Sequence, residues 1–292
     1  MLFLCDIGNS SIAFALYTFT PYPGEDGKKA SILPFYADKE THQLKNARQL
    51  FSAKISAREE KSTDEYIVLF DRILRMRGAS PDEVSGVIIS SVVPSLTEKV
   101  QAALAFIFPE RHTVIMGPGV KTGLVMHVDV QSQIGTDIVC TAVAAANLFD
   151  GASVIFDLGT ATVVSAIGAD GAFEGTLICP GFYSALGALK QDTAQLPNIS
   201  IDAPKGIIGK NSPDSMRSGF FFGGAATLDG LCDTVSAALL PEGDVPNLIA
   251  CGGLSQKIVP FCRHPITVRP ELIFEGMLLI YMQNRYSAKQ KT

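Results

Sequence analysis

The sequence predicts two α/β domains, one built like the other, with a boundary near residue 150. Three observations carry this. The stretch DIGNSSIAFAL at residues 6–16 returns as DLGTATVVSAI at residues 157–167. Each copy opens a half in which strands come first and helices then alternate with strands. Hydrophobic residues make up 47% of the 292 and charged residues only 18%, enough apolar material for substantial cores.

In the first half, MLFLCDI reads as a strand, Gly8-Asn9 as a turn and SIAFALYT as a second strand. The Pro-, Gly- and charge-rich stretch at residues 20–30 reads as a surface connection. Residues 62–77 place Ile67, Phe70, Ile73 and Leu74 on one helical face. The β-branched run VSGVIISSVV suits a buried strand ending at Pro94. Ser95 and Glu98 then read as a capping box, opening a helix with Leu96, Val100, Ala103, Leu104 and Ile107 on its apolar face. HTVIM is a short strand and residues 135–149 an Ala-rich helix. In the second half, ASVIFD and ATVVSAI are strands around Gly159, and GAFEGTLI is a third. Helices are expected near residues 181–190, 214–238 and 270–284, with Pro270 in the first turn of the last. NLIACGGL is a strand running into a Gly-Gly turn.

The net charge is −5 and there is no basic run, which argues against nucleic acid or an anionic membrane as the main partner. A small anion remains compatible, because backbone amides hold one without net positive charge. The six cysteines lie far apart with no C-x-x-C pair; they read as small buried hydrophobes outside any disulfide framework. Asp6 interrupts the first apolar run too early for a signal peptide, and no unbroken apolar run is long enough to span a bilayer. A cytoplasmic location is the expectation. His42, His112, His127 and His264 are scattered without metal-ligand spacing. FFF at 220–222 reads as core or dimer packing, and KQKT at the end as a solvated tail.

A Gly between an acid and a hydroxyl-bearing residue suits a tight hairpin whose amides face a phosphate. The Gly permits the turn and a close approach, successive N–H groups form an anion-holding concavity, and Ser or Thr adds a donor. The carboxylate has a role in holding a cation that bridges to phosphate oxygens. One such turn is commonly an ordinary hairpin; two at equivalent places favour a ligand held from both. The first candidate turn is Asp6, Ile7, Gly8, Asn9, Ser10 and Ser11, with Asp6 placed for Mg2+ directly or through water. The second contains Asp157, Gly159 and Thr160. GPGVKTG at 117–123 fits neither phosphate-loop pattern, since Val120 and Thr122 stand where glycine is required. Gly252-Gly253 either lets a flat adenine ring lie on the backbone or makes a plain strand-to-helix turn. Asp137, at the start of an apolar helix, suits proton acceptance during phosphoryl transfer to a hydroxyl; the same position also suits a helix-dipole residue.

The paired turns and the later Gly-Gly resemble those of the actin, hexokinase and heat-shock ATPase superfamily. Over nearly its whole length the chain resembles the type III pantothenate kinases. The resemblance is carried by DIGNSS, SSVVPSL, GVKTGL, DLGTATVV, CPGFYSAL, TAQLP, IGKNSPDSMRSGFFFGGAATLDGL and CGGL. It implies duplicated actin-like (ribonuclease H-like) domains at 1–150 and 151–292, mixed sheets flanked by helices, closing on ATP. It implies ATP-dependent phosphorylation of pantothenate to 4′-phosphopantothenate, the first step of coenzyme A biosynthesis, in a homodimer with pantothenate where protomers meet. By the same resemblance Asp6, Gly8, Asn9, Ser10 and Thr160 contact ATP. Asp157 holds a monovalent cation (K+ or NH4+), and Thr193 contacts pantothenate.

In that family the Asp of a G-x-D-R motif removes the substrate's proton. The matching residues are Gly135, Thr136, Asp137 and Ile138, so Asp137 inherits the catalytic role and the four together the substrate contacts. Ile138 stands where the family has Arg, whose planar fork suits a carboxylate such as pantothenate's. Lys121, Arg217 and Arg263 are the basic residues considered as replacements. The departure opens two other readings: a kinase for a less anionic hydroxylated substrate, or a weakened paralogue that binds ligand without turnover.

Overall fold

A computed structural model describes residues 1–22, 33–193, 195–240 and 243–288. Most of the connection expected at 20–30, and the KQKT tail, lie outside the described residues. The chain forms two compact units: Met1–Leu124 with Asp129–Phe149 and Ile273–Thr292, and Val125–Val128 with Asp150–Leu272. Among the described residues no helix is long and apolar enough to cross a membrane.

In the first unit β1 (Leu2–Ile7) and β2 (Ser11–Phe19) form a hairpin, with Asp6 opposite Ala13 and Ile7 opposite Ile12. A short helix α1 (Leu33–Tyr36) leads to the small paired strands β3 (Ala37–Asp38) and β4 (Gln43–Leu44). The edge strand β5 (Ala47–Ser56) pairs with β2. No strand was expected there, because an edge exposed on one face carries polar residues such as Arg48, Gln49 and Lys54. Next comes α2 (Thr63–Met76), capped by Ser62: its N–H donates to Glu65 Oε2 at 2.7 Å, and its Oγ accepts from the Glu65 N–H at 3.3 Å. Then follow β6 (Gly86–Ser91), α3 (Pro94–Ile107), β7 (His112–Ile115) and α4 (Thr136–Leu148). The expected Ser95–Glu98 capping box does not form. Pro94, pre-set for the first helical position, starts α3 two residues earlier with Val93 as its N-cap. Phe3, Phe14, Phe70 and Phe108 anchor the core, with Phe14 and Phe70 edge-to-face at 5.1 Å.

The second unit repeats the plan. It contains β8 (Ser153–Leu158), β9 (Ala161–Ile167), β10 (Phe173–Pro180), α5 (Phe182–Asp192), α6 (Ser212–Ser218), α7 (Gly224–Leu239), β11 (Asn247–Cys251), α8 (Ser255–Ile258) and β12 (Thr267–Val268). The single helix expected over 214–238 is divided by a π-helical turn at Gly219–Gly223. Phe220 and Phe221 of that turn enter the core, and Phe222 packs on Phe261 with ring centroids 5.2 Å apart. The sheet orders are β5-β2-β1-β6-β7 and β10-β9-β8-β11-β12. Each runs third, second, first, fourth, fifth, with the third–second and second–first pairs antiparallel and the other two parallel. The duplication seen in the two turns therefore extends to topology, and the fold is the duplicated actin-like α/β class.

The units depart from the expected 1–150 and 151–292 in two places, Val125–Val128 and the last helix. Helix α9 (Leu272–Ala288) clusters with the first unit from Ile273 onward. Met277 through Met282 are all buried, as in a helix wrapped on every side. Gly276 allows this, because a Cβ there would run into the Cys140 carbonyl and lie 2.6 Å from its carbon. Gly276→Ala is expected to lower stability by about 1–3 kcal/mol, read as a fall in Tm. An unchanged Tm would rule out this close approach of α9 to α4.

Candidate functional site

The first turn is closed by the Gly8 N–H, which donates to the Ser11 carbonyl at 3.0 Å. The glycine thus serves the hairpin itself. Asp6 sits at the end of β1 in register with Ser90 on the parallel strand β6. The Ser90 hydroxyl donates to Asp6 Oδ1 at 3.1 Å and lies 3.0 Å from Thr136 Oγ1. Thr136 in turn accepts from the Ser91 N–H at 3.1 Å, and its one proton is shared between Ser90 Oγ and the Ser91 carbonyl, 3.1 Å away. The start of α4 is therefore tied to the tip of β6, and through Ser90 to the Asp6 carboxylate. This is the carboxyl end of parallel strands, where α/β sheets place ligands.

Asp137 follows Thr136, and its Oδ1 accepts the Ile138 N–H at 2.8 Å. Burial raises its carboxyl above the ordinary Asp value, opposed by hydrogen bonds from the Ile138 N–H and its own N–H. Gly135 makes room for this carboxylate: a Cβ there would meet Asp137 Oδ1 and sit 3.5 Å from Val92 Cγ1. Asp137 thus meets the helix N-terminus, as its dipole reading requires, and is also a desolvated carboxylate suited to take a proton. Ile138 is half-buried. Beneath them Cys140 is buried and its thiol pushed well up, by burial first and then by Asp6 and Asp137. It is not a thiolate nucleophile. Ser90, Ser91 and Val92 had a place in the sequence only as strand and as part of SSVVPSL, with no site role; the signal for one was a polar pair ending an otherwise apolar strand.

In the second unit three segments meet at the Asp157–Thr160 turn, whose Gly159 N–H donates to the Ala161 carbonyl at 3.1 Å. Gly252 has φ +80°, and a Cβ there would lie 2.5 Å from Asp157 Oδ1 and 2.7 Å from the Leu158 backbone. Its carbonyl accepts the Ser255 hydroxyl at 2.8 Å. A Cβ at neighbouring Gly253 would meet nothing within 4 Å, leaving space beside the turn. From the other side Gly181 packs on the Thr160 carbonyl, and the Ser184 hydroxyl donates to it at 2.9 Å. Asp157, Gly159, Thr160, Gly252 and Gly253 are thus brought together; Gly181 and Ser184 were not foreseen.

Thr193 ends α5, its hydroxyl donating to the Leu189 carbonyl at 2.6 Å, a contact that involves neither turn. Arg217 Nη1 lies 3.2 Å from Asp214 and Arg263 Nε 3.2 Å from Asp229, so each guanidinium already pairs with a carboxylate. The Lys121 N–H donates to Asn284 Oδ1 at 3.0 Å, fixing its backbone to α9. Cys5, Cys140, Cys232 and Cys251 are buried as expected, while Cys179 and Cys262 are half-buried. Among the described residues no three His, Cys, Asp or Glu side chains gather as a metal site. A cation would rely on single carboxylates together with ligand oxygens.

A family profile described as type III pantothenate kinase matches residues 2–234. The type III pantothenate kinase of Geotalea daltonii is 31% identical over 288 residues, covering 98% of this chain and 100% of its own. That of Citrifermentans bemidjiense is 32% identical over 289 residues, with the same coverage of 98% and 100%. A solved structure of a reductive activator for a corrinoid, iron-sulfur protein is alike in fold alone: 11% identity and TM-score 0.50, covering 99% of this chain and 61% of that one. With the profile spanning both acidic turns and α4, and with relatives aligned end to end, this chain belongs to the type III pantothenate kinase family.

Proposed function

We infer that the chain is an ATP-dependent kinase that phosphorylates pantothenate to 4′-phosphopantothenate, the first step of coenzyme A biosynthesis, with Asp137 as proton acceptor. The observation that supports the mechanism is the hydrogen-bonded path from Asp6 through Ser90 to Thr136, which sets the acid's helix beside a phosphate turn. As the substrate hydroxyl attacks the γ-phosphorus, an O–P bond forms, the bond to the ADP oxygen breaks, and the hydroxyl proton passes to Asp137. A base whose pKa is lifted towards working pH accepts that proton more readily.

The phosphates are assigned to Asp6, Ile7, Gly8, Asn9, Ser10, Ser11, Gly159 and Thr160, and the adenosine to Gly252 and Gly253. The donor set fits Mg2+ at Asp6, because Mg2+ is commonly held by one or two carboxylates with phosphate oxygens and water. When bound, it neutralises charge on the transferring group. Asp157, beside the Leu158 and Gly252 backbone, offers oxygen donors to K+ or NH4+. Pantothenate is assigned to Gly135, Thr136, Asp137, Ile138 and Thr193, in a homodimer.

An ADP-release assay with ATP, Mg2+, K+ and pantothenate tests the reading, and turnover by the wild type is expected. Restoring a charge-assisted pair by Ile138→Arg is expected to lower KM for pantothenate about tenfold or more. Preference of the wild type for uncharged pantothenate amides would replace pantothenate with a less anionic substrate. Tight ATP binding with no turnover on either would overturn the kinase reading in favour of a ligand-binding paralogue.

A further inference from the structure

We propose that Ser90 is a positioning residue for phosphoryl transfer, holding the Asp6 carboxylate and the first turn of α4 in one register. This rests on the roles assigned above to Asp6 and Asp137. Ser90 is fully buried at the end of GVIISS, a strand whose other inward positions are apolar. A buried hydroxyl is unfavourable there unless it is hydrogen-bonded, and an aliphatic residue would suit a central strand equally well. What Ser90 provides is a directed proton.

That proton points at Asp6 Oδ1, 3.1 Å away, a charge-assisted bond to an ionised acceptor. The Ser90 oxygen is then an acceptor. The Thr136 proton has two places to go, Ser90 Oγ at 3.0 Å and the Ser91 carbonyl at 3.1 Å. The Ser91 N–H meanwhile donates to the Thr136 oxygen at 3.1 Å. Thr136 therefore has its own anchors on Ser91, and α4 stays in place without Ser90. What the loss of Ser90 removes is the hydrogen-bonded link from α4 to Asp6. That link is a contact that sets the carboxylate relative to Asp137, one residue beyond Thr136.

The test compares Ser90→Ala and Ser90→Cys with wild type, reading KM and kcat for ATP, the Mg2+ concentration for half-maximal rate, MgADP affinity by calorimetry, and Tm. Loss of such a supporting partner typically lowers metal affinity or activity about 10–100-fold. Both variants are expected to show that fall, with a raised Mg2+ requirement and weaker MgADP binding. Cysteine fills the space but is a weak donor, so wild-type kinetics in Ser90→Cys would reduce Ser90 to packing and overturn the proposal. Asp6→Asn and Asp137→Asn run alongside. If they lose turnover while both Ser90 variants keep wild-type kinetics and Mg2+ dependence, the positioning role alone fails. If the Asp variants keep full turnover, the assignment of the site fails, and this inference fails with it.

Discussion

Asp137→Asn is expected to lower kcat by about 10²–10⁴-fold, the range for loss of a general base, while calorimetry still finds ATP bound. The amide oxygen of Asn can accept the Ile138 N–H that now binds Asp137 Oδ1 at 2.8 Å, so the start of α4 is preserved and only the proton acceptor is lost. The pH profile carries the same signature. Burial holds this carboxyl above its ordinary value, so kcat/KM is expected to fall with decreasing pH above the usual Asp range. A wild-type rate in Asp137→Asn would remove the proposed mechanism.

The same shift makes a stability prediction of opposite sign to the activity loss. The folded state binds the Asp137 proton more tightly than the unfolded chain does. Stability therefore declines as pH rises from the unfolded pKa to the folded one, and stays lower above it. At neutral pH the ionised Asp137 weighs against the fold, and neutral Asn does not. Asp137→Asn is expected to raise Tm at pH 7, with the gain shrinking as pH falls through the raised folded pKa and gone below the ordinary Asp value. A group retained against stability is what a functional role predicts.

Gly252→Ala is expected to weaken ATP binding more than tenfold and to lower Tm. At φ +80° an L-residue is strained by about 1–2 kcal/mol. Its Cβ would also stand 2.5 Å from Asp157 Oδ1 and 2.7 Å from the Leu158 backbone. Neither neighbour can retreat without moving the acidic turn, because Leu158 lies in β8 between paired strands. Gly253→Ala, whose Cβ meets nothing within 4 Å, is the contrast and is expected to keep the wild-type Tm. Unchanged Tm and ATP affinity in Gly252→Ala would mean that CGGL does not seat on the DLGT turn.

Much of this was legible in the chain alone, for a physical reason. A D-x-G turn, an apolar strand and an amphipathic helix are decided over a few neighbouring residues, so both acidic turns, the α4 start and the Gly-Gly turn could be located by reading along it. Where local signals competed, the reading failed. Ser95 and Glu98 have capping-box spacing, yet Pro94 begins α3 first. β5 is polar enough to hide as a loop, and the π-helical turn at Gly219–Gly223 changes no sequence period.

By itself, then, the sequence determined the duplicated α/β plan, the two turns, Asp137 and the exchange of Arg for Ile138. Only the tertiary structure decided which distant residues share a site. Ser90 reaches Asp6 and Thr136, Gly181 seats on Thr160, and α9 joins the first unit. Those choices are made by hydrogen bonds and close backbone approaches between segments far apart in the chain. Each is satisfied only after strands and helices have packed, so no local pattern records it.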